Sequence, residues 1–181
     1  MCHALLRDTR FFELLYALDL DLADQARIAG CPCGGRLHQA NYLRKPRGGP
    51  AGLSPDQERR LSFCCNRDGC RCRKTPPSLR FLGRRVYFGV VVVLVTAMTH
   101  GVTPRRAAEL RVQLGVDRRT LARWRHWWQE HFPTSSLWRE HRGRFTRPVP
   151  ADGMPGALLD RFAPAEKRDG VVSLLRFLAP L

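Results

Sequence analysis

Residues 63 to 72 read FCCNRDGCRC, which is four cysteines within ten residues of a chain that contains seven. A shorter stretch upstream, CPCGG at residues 31 to 35, holds two more. Cysteines grouped in this way are metal ligands, disulfide partners or small apolar residues of a core. The choice decides the fold, because the segment between the two groups is too poor in apolar residues to fold by burial alone.

The rest of the sequence argues against disulfides. The N-terminal residues MCHALLRDTRFFELLYALDLDLADQ carry acidic side chains where a signal peptide has a basic start, so we expect a cytoplasmic protein. The apolar run FGVVVVLVTAM, at residues 88 to 98, is far shorter than the roughly 20 residues that cross a bilayer, so we expect a core element and no membrane partner. Structural disulfides do not persist in a reducing cytosol, which leaves metal ligands as the favoured interpretation.

Zinc is the metal that this pattern predicts. A structural zinc site takes four soft ligands, usually as two close pairs on two tight turns. Here the first pair is followed by glycines, and the second lies in CNRDGC, where Asn66, Asp68 and Gly69 favour a turn. The 31 residues between the pairs leave room for a hairpin, which is the layout of a zinc ribbon. We predict the ligands Cys31, Cys33, Cys65 and Cys70.

Other ligand sets remain open at this stage. Cys64 or Cys72 could replace a chosen ligand of the second pair, although strand alternation puts Cys64 on the face opposite Cys65. His38 is a further alternative. Reduced, non-ligating cysteines are the remaining interpretation, but cysteines that only fill space have no reason to occur as separated pairs flanked by glycine.

The charge points to a polyanionic partner. The chain has 31 basic against 16 acidic residues, a net charge of +15, and only Lys45, Lys74 and Lys167 are lysines. Residues 31 to 148 carry the whole excess, whereas residues 1 to 30 and 149 to 181 are acidic or balanced. Arginine presents a planar array of N–H donors that suits phosphate oxygens and guanine edges. A composition bias would not spare the two ends, so we expect nucleic acid as the partner.

We expect an α+β protein, with a small zinc ribbon followed by an all-α domain. Residues 1 to 30 form an N-terminal segment whose amphipathic helix runs over residues 10 to 29 and is stopped by Gly30, and residues 31 to 77 form the ribbon. Residues 78 to 133 form the helical domain, including a helix over residues 78 to 100. Residues 134 to 181 form a C-terminal extension with one short helix around VVSLLRFL.

The helical domain contains a candidate helix-turn-helix. Thr103 and Pro104 mark the start of its first helix, Gly115 the turn, and Asp117 the cap of its second helix, which ends by Pro133. On the second helix, Leu121, Trp124 and Trp128 share one face and arginines the other. A recognition helix needs this division, since one face reaches DNA while the other packs in the core. An ordinary amphipathic helix pair is the alternative.

The residues predicted to contact DNA are basic side chains of this pair and of the ribbon. They are Arg118, Arg119, Arg123, His126, Arg105, Arg106, Arg44, Lys45 and Arg47.

At this point the sequence resembles a known family. The string LGVDRRTLARWRHWW, at residues 114 to 128, is similar to the DNA-binding helix-turn-helix of many bacterial insertion-sequence transposases. CNRDGC is similar to the second zinc knuckle of Ogr/Delta phage activators. Stretches such as NYLRKPRGG and LLRFLAPL resemble uncharacterised bacterial proteins described as transposase-like. The resemblance implies a mobile genetic element, double-stranded DNA as the partner, and a separately encoded transposase as a further candidate partner.

A catalytic role is not expected. A transposase core gathers carboxylates around two metal ions, and the 48 residues after Pro133 offer only scattered acids among prolines and glycines. No phosphate-binding glycine loop or nucleophile elbow is present in the sequence. The sequence therefore predicts a DNA-binding accessory or regulatory protein. A zinc-ribbon adaptor for another protein is the alternative, and RNA binding by the ribbon is a weaker one.

Overall fold

The computed structural model describes residues 2–98, 103–162 and 167–181, and it contains helices together with two small sheets. This mixture confirms the expected α+β class at the level of element content. The helices are α1 Cys2–Leu5, α2 Thr9–Ile28, α3 Gly89–Ala97, α4 Pro104–Leu114, α5 Arg118–His126, α6 Ser136–His141, α7 Gly156–Arg161 and α8 Lys167–Leu178. The strands are β1 Leu37–Gln39, β2 Tyr42–Leu43, β3 Arg59–Arg60, β4 Phe63–Cys65 and β5 Arg73–Lys74.

Helix α3 forms the centre of the main core. Every residue from Gly89 to Thr96 is buried, which explains why its sequence is apolar on all sides. Helices α5, α7 and α8 all pack against it.

The helix predicted over residues 78 to 100 is longer than the observed helix, because α3 spans only Gly89–Ala97. Residues 78 to 88 are irregular, and Phe81 forms an isolated β-bridge with Phe88. The Arg80 side chain bonds to Asp19, and the Gly89 amide donates to the Arg80 carbonyl oxygen, which is not the hydrogen-bond pattern of a helix. Residues 99 and 100 lie outside the described residues.

Helix α2 begins and ends as its sequence predicts. Asp8 caps its first turn by accepting a hydrogen bond from the Arg10 amide at 3.0 Å, and Gly30 follows its end at φ 66°. The helix buries Phe11, Phe12 and Leu15 in the main core. It therefore belongs to the same core as the helices that follow the cysteine segment.

The cysteine segment forms the two sheets. β4 lies between β1 and β5, with Leu37 opposite Cys65 and Phe63 opposite Lys74, while β2 pairs with β3. Leu61 and Phe63 pack with Ala23 of α2 in a second, smaller core. Burial against α2 therefore contributes to the stability of the cysteine segment. From the sequence we expected metal binding to supply most of that stability.

A buried ion pair joins the first three predicted segments. The Arg80 Nε donates to Asp19 Oδ2 of α2 at 2.8 Å, and both side chains are almost inaccessible to solvent. The same guanidinium donates to the carbonyl oxygens of Gln57 and Arg59, while Ser78 donates to the Asp19 carboxylate. The predicted boundaries at residues 30 and 77 therefore cross a shared hydrogen-bond network.

Residues 134 to 181 contain more structure than one short helix. Helices α6, α7 and α8 bury Trp138, Leu158 and Leu174 in the main core. Among the described residues, no helix combines the length and the apolar character needed to cross a membrane.

Candidate functional site

The four predicted cysteine ligands lie together. The Cys31 sulfur is 3.4 Å from Cys33 and 3.7 Å from Cys70, and the Cys33 sulfur is 3.5 Å from Cys65. All four sulfurs lie within 4.8 Å of one another. Sulfurs at the corners of a tetrahedron around zinc, each about 2.3 Å from the ion, are about 3.8 Å apart. The spacing fits a tetrahedral metal site and is far longer than a disulfide bond.

The local backbone explains how these sulfurs meet. Cys31 and Cys33 follow the end of α2, and Gly34 takes φ +80°, a left-handed conformation that suits glycine. A Cβ at Gly35 would lie 2.4 Å from the Cys65 sulfur. Backbone amides support the cluster, because Gly35 donates to the Cys33 sulfur and Arg67 donates to the Cys65 sulfur, each at 3.4 Å. Such amide donors are typical partners of metal-bound thiolates.

The thiols influence one another's ionisation. The Gly35 amide and the neighbouring thiols of Cys70 and Cys31 lower the pKa of Cys33 to about 6. At Cys65 the Arg67 amide acts to lower the pKa, but burial and the neighbouring sulfurs outweigh it and raise the pKa to about 12. The pKa of Cys70 is also raised, since Cys33 and Cys31 outweigh the Cys72 amide. Of these three thiols, Cys33 therefore has the lowest pKa.

The alternative ligands lie outside this cluster. Cys64 points its thiol toward the Arg71 carbonyl oxygen at 3.5 Å, and Cys72 is exposed with its thiol toward the Arg73 carbonyl oxygen. His38 is exposed and pairs with Cys64 across β1 and β4. Within the described residues, no other group of His, Cys, Asp and Glu side chains has a metal-binding arrangement.

Helices α4 and α5 have the predicted starts. α4 begins at Pro104, and the Asp117 carboxylate caps α5 by accepting a hydrogen bond from the Thr120 amide at 2.6 Å. That bond, with smaller contributions from Arg123 and Arg119, lowers the pKa of Asp117. Gly115 makes the turn at φ 66°. Arg111, in the last turn of α4, is exposed and does not enter the core.

The two faces of α5 divide as the sequence predicts. Leu121, Trp124 and Trp128 are buried, and Trp124 packs edge-to-face on Tyr87 at 5.0 Å between ring centroids. The basic side chains on the outer face are exposed, namely Arg118, Arg119, Arg123 and His126. In the described part of the chain, none of these arginines forms an ion pair with a carboxylate.

The remaining predicted DNA contacts are less uniform. Arg105 is exposed but pairs with Glu109 at 3.4 Å, and the Arg106 side chain lies outside the described part. Lys45 and Arg47 are exposed. Arg44 is engaged within the protein, since its guanidinium donates to the carbonyl oxygens of Gly83 and Arg85 and lies over the Phe81 ring. The geometry of Arg44 therefore fits a structural role better than a DNA contact.

Two basic residues near α5 were not singled out from the sequence. Arg84 and Arg85 precede α3 in the chain, yet they line a cleft together with Arg123 and His126. The dipeptide RR at positions 84 and 85 was a visible signal, but only the folded chain brings it beside α5.

Comparisons with protein-family models, with curated proteins and with solved structures find no match. The likeness to transposase-type DNA-binding regions therefore stays a prediction from the sequence.

Proposed function

We propose that this chain is a zinc-stabilised DNA-binding protein without catalytic activity. In this proposal α4 and α5 form a helix-turn-helix, α5 enters the major groove, and the cysteine cluster holds one zinc ion in a zinc ribbon. The sequence resemblance adds a cytoplasmic accessory or regulatory role at a bacterial mobile element, with a separately encoded transposase as a candidate partner.

The division of α5 into two faces carries the proposal. Arg119, Arg123 and His126 follow one another at spacings of four and three residues, so they form one exposed stripe. Trp124 and Trp128 anchor the opposite face in the core. A helix held in this way presents its arginines without moving, and arginine is the side chain that most often pairs with guanine in the major groove.

The charge around α5 supports the same partner. Of the acids near this helix, Asp117 is used in its own cap, and residues 84 to 148 carry 13 basic against 4 acidic residues. Exposed arginines without carboxylate partners keep most of their N–H groups available for phosphate oxygens, and of the Arg123 donors only Nη2 is engaged within the described residues, with the Thr120 hydroxyl at 3.1 Å. A polyanion would relieve the repulsion among them, and DNA supplies closely spaced phosphates.

The cysteine cluster supports a structural zinc. Four thiols with no additional ligand position describe a closed site, whereas catalytic zinc keeps one position for water or substrate. When bound, the zinc would cross-link the end of α2 to strand β4 and to the turn at Cys70. The ion would thereby fix a segment that has only a small core of its own.

The proposal is tested by DNA binding of the zinc-loaded protein. A random pool of duplex oligonucleotides, enriched over several rounds, should yield a preferred site that is measured by fluorescence anisotropy at several salt concentrations. Arg119→Ala or Arg123→Ala should weaken binding by about 1 to 3 kcal/mol and relax one base position if the contact is bidentate to guanine. Arg176→Ala removes the same charge from the last turn of α8 and serves as the control.

The outcomes separate the functions considered. If the parent protein binds no duplex DNA with a salt-dependent affinity, the DNA-binding function is wrong, and an adaptor role becomes the better hypothesis. If single-stranded or structured RNA competes better than duplex DNA, RNA binding by the zinc ribbon becomes the better hypothesis. If both α5 variants bind like the Arg176 control, α5 is not the recognition helix.

A further inference from the structure

A basic cleft of about 540 Å³ opens beside α5. Its walls come from residues 84 to 87 on one side and from α5 and the turn after it on the other. Its lining includes the arginines Arg84, Arg85 and Arg123 and the histidines His126 and His131, and no described carboxylate lines it. A concave surface with one sign of charge concentrates the opposite charge from solution, so the cleft is built to attract an anion.

Arg85 is the most constrained of these cations. Its guanidinium carbon lies 3.7 Å from the centroid of the Trp127 ring, and its Nη1 donates to the Leu82 carbonyl oxygen at 3.3 Å. Burial lowers its pKa to about 10. In the described chain no carboxylate pairs with it, and the other N–H groups of its planar head have no protein acceptor. The partly buried guanidinium is thus held on an aromatic ring with N–H donors that an anion could accept.

A π-helical turn completes the far wall of the cleft. After α5 the chain makes a π turn over Trp127–His131, in which the Phe132 amide bonds to the Trp127 carbonyl oxygen. Residues five apart lie about 140° apart around an α-helix, whereas the wider π turn brings them closer together around the helix axis. The rings of His126 and His131 accordingly meet at 5.3 Å between centroids. The turn therefore directs two imidazoles to the same side, and such turns are frequent at functional sites.

The cleft shares residues with the exposed face of α5. Arg123 and His126 belong both to the stripe proposed to enter the major groove and to the cleft lining. A DNA strand that borders the groove occupied by α5 would pass over this edge, since phosphates flank the major groove on both sides. The Trp127 ring face is covered by Arg85, so the ring holds the guanidinium and leaves that face closed to a stacking base.

We propose that the cleft is a phosphate site, in which Arg85 receives one backbone phosphate of the DNA strand beside α5 and thereby sets the register of the helix on the duplex. This inference rests on the proposed DNA-binding function. The guanidinium would donate two parallel N–H bonds to two phosphate oxygens, with Arg84 adding positive charge and the imidazoles of His126 and His131 offering ring N–H donors.

The test is the salt dependence of DNA binding by Arg85 variants. Arg85→Met keeps an unbranched apolar stem over Trp127 and removes the charge. Loss of one phosphate contact should flatten the slope of log affinity against log salt by about 0.9. Between 1 M and 0.1 M salt, the affinity of the variant should therefore rise by about eightfold less than the affinity of the parent. Arg85→Lys keeps the charge without the planar donor array, so it should retain the slope while still binding more weakly than the parent. Arg176→Ala should change neither quantity.

Ethylation of individual DNA phosphates locates the contact. In the parent protein one ethylated phosphate next to the α5 site should interfere with binding, and in Arg85→Met that interference should disappear while the others remain. Thermal unfolding of both Arg85 variants checks that each is folded. If Arg85→Met does not fold, the affinity of Arg85→Lys relative to the parent tests the inference in its place.

The outcomes distinguish this inference from the function on which it rests. If the parent binds DNA and a folded Arg85→Met keeps its slope and its interference pattern, Arg85 does not contact phosphate and this inference alone is wrong. Where only Arg85→Lys folds, binding as tight as that of the parent has the same meaning. If the parent does not bind DNA, both are wrong. Isothermal titration with inorganic phosphate is the last arm: saturable binding that is lost in Arg85→Met, without any change in DNA binding, would make the cleft a small-anion site and overturn the assignment to DNA.

Discussion

Replacing Gly35 by alanine is the sharpest test of the cysteine cluster. The added Cβ would lie 2.4 Å from the Cys65 sulfur, 3.0 Å from the Arg67 Cβ and 3.3 Å from the Cys33 sulfur. Alanine keeps the backbone N–H that donates to the Cys33 sulfur at 3.4 Å, so the change removes no hydrogen-bonding group. The substitution therefore perturbs the positions of the sulfurs and leaves the ligands themselves intact.

The magnitude follows from that overlap. Carbon and sulfur atoms that are not bonded approach to about 3.5 Å, so either the Cys65 sulfur or the backbone at residue 35 must move by about 1 Å. Metal–ligand distances in a working site vary by only about 0.2 Å. Overpacking of this kind costs about 1 to 3 kcal/mol. If the strain falls on the metal-bound state, zinc should bind about fivefold to a hundredfold more weakly.

The assay is competition for zinc with a chromophoric chelator at constant pH. Gly143→Ala is the matched control, because no atom lies within 4 Å of the Cβ that it would add. The control should bind zinc like the parent. A Gly35→Ala variant that binds zinc within twofold of the parent would show that Cys65 does not hold the position described here, and the ligand set would have to be revised.

Five further predictions concern the metal and the core. Cys70→Ser should abolish binding of one zinc per chain in native mass spectrometry, whereas Cys72→Ser, at an exposed position outside the cluster, should retain it; the reverse ranking would mean that the ligand register is wrong. Zinc binding near pH 7 should release at least two protons, from Cys65 and Cys70, whose pKa values are raised, and titrations in buffers of different ionisation enthalpy measure this number. Zinc affinity should also fall steeply as the pH decreases, because protons then compete for every thiolate, and an affinity independent of pH between 6 and 8 would contradict thiolate ligation. Asp19→Ala should cost about 3 to 5 kcal/mol in denaturant unfolding, since Arg80 would stay buried without its partner. Trp124→Ala should cost about 3 to 5 kcal/mol by leaving a cavity against Tyr87, and an unchanged stability would mean that the wrong face of α5 was taken as buried.

Local chemistry made several parts of this protein predictable. The start of α5 depends on one carboxylate and an amide three residues later, so Asp117 could be recognised from the sequence alone. The pairing of CPC with CNRDGC likewise depends on turns that glycine makes possible within a few residues. Such signals survive without knowledge of the rest of the fold.

Other parts were predicted incompletely, because distant residues decide them. The helix over residues 78 to 100 was predicted too long, since Arg80 leaves helical geometry to meet Asp19, 61 residues earlier in the chain. Arg44 looked like a free basic residue in RKPRGG, but the carbonyl oxygens of residues 83 and 85 take up its donors.

The sequence by itself determined where α2, α4 and α5 begin and which face of α5 is apolar, and it favoured the two cysteine pairs without excluding Cys64 or Cys72. Each of these follows from interactions between residues a few positions apart, or from periodicity. The tertiary structure alone decided that Arg85 lies on Trp127, 42 positions away, and that both line one cleft beside α5 to which the described part of the chain contributes no acidic side chain. Whether an arginine has a carboxylate partner depends on the residues around it, and those residues come together only when segments far apart in the chain have packed.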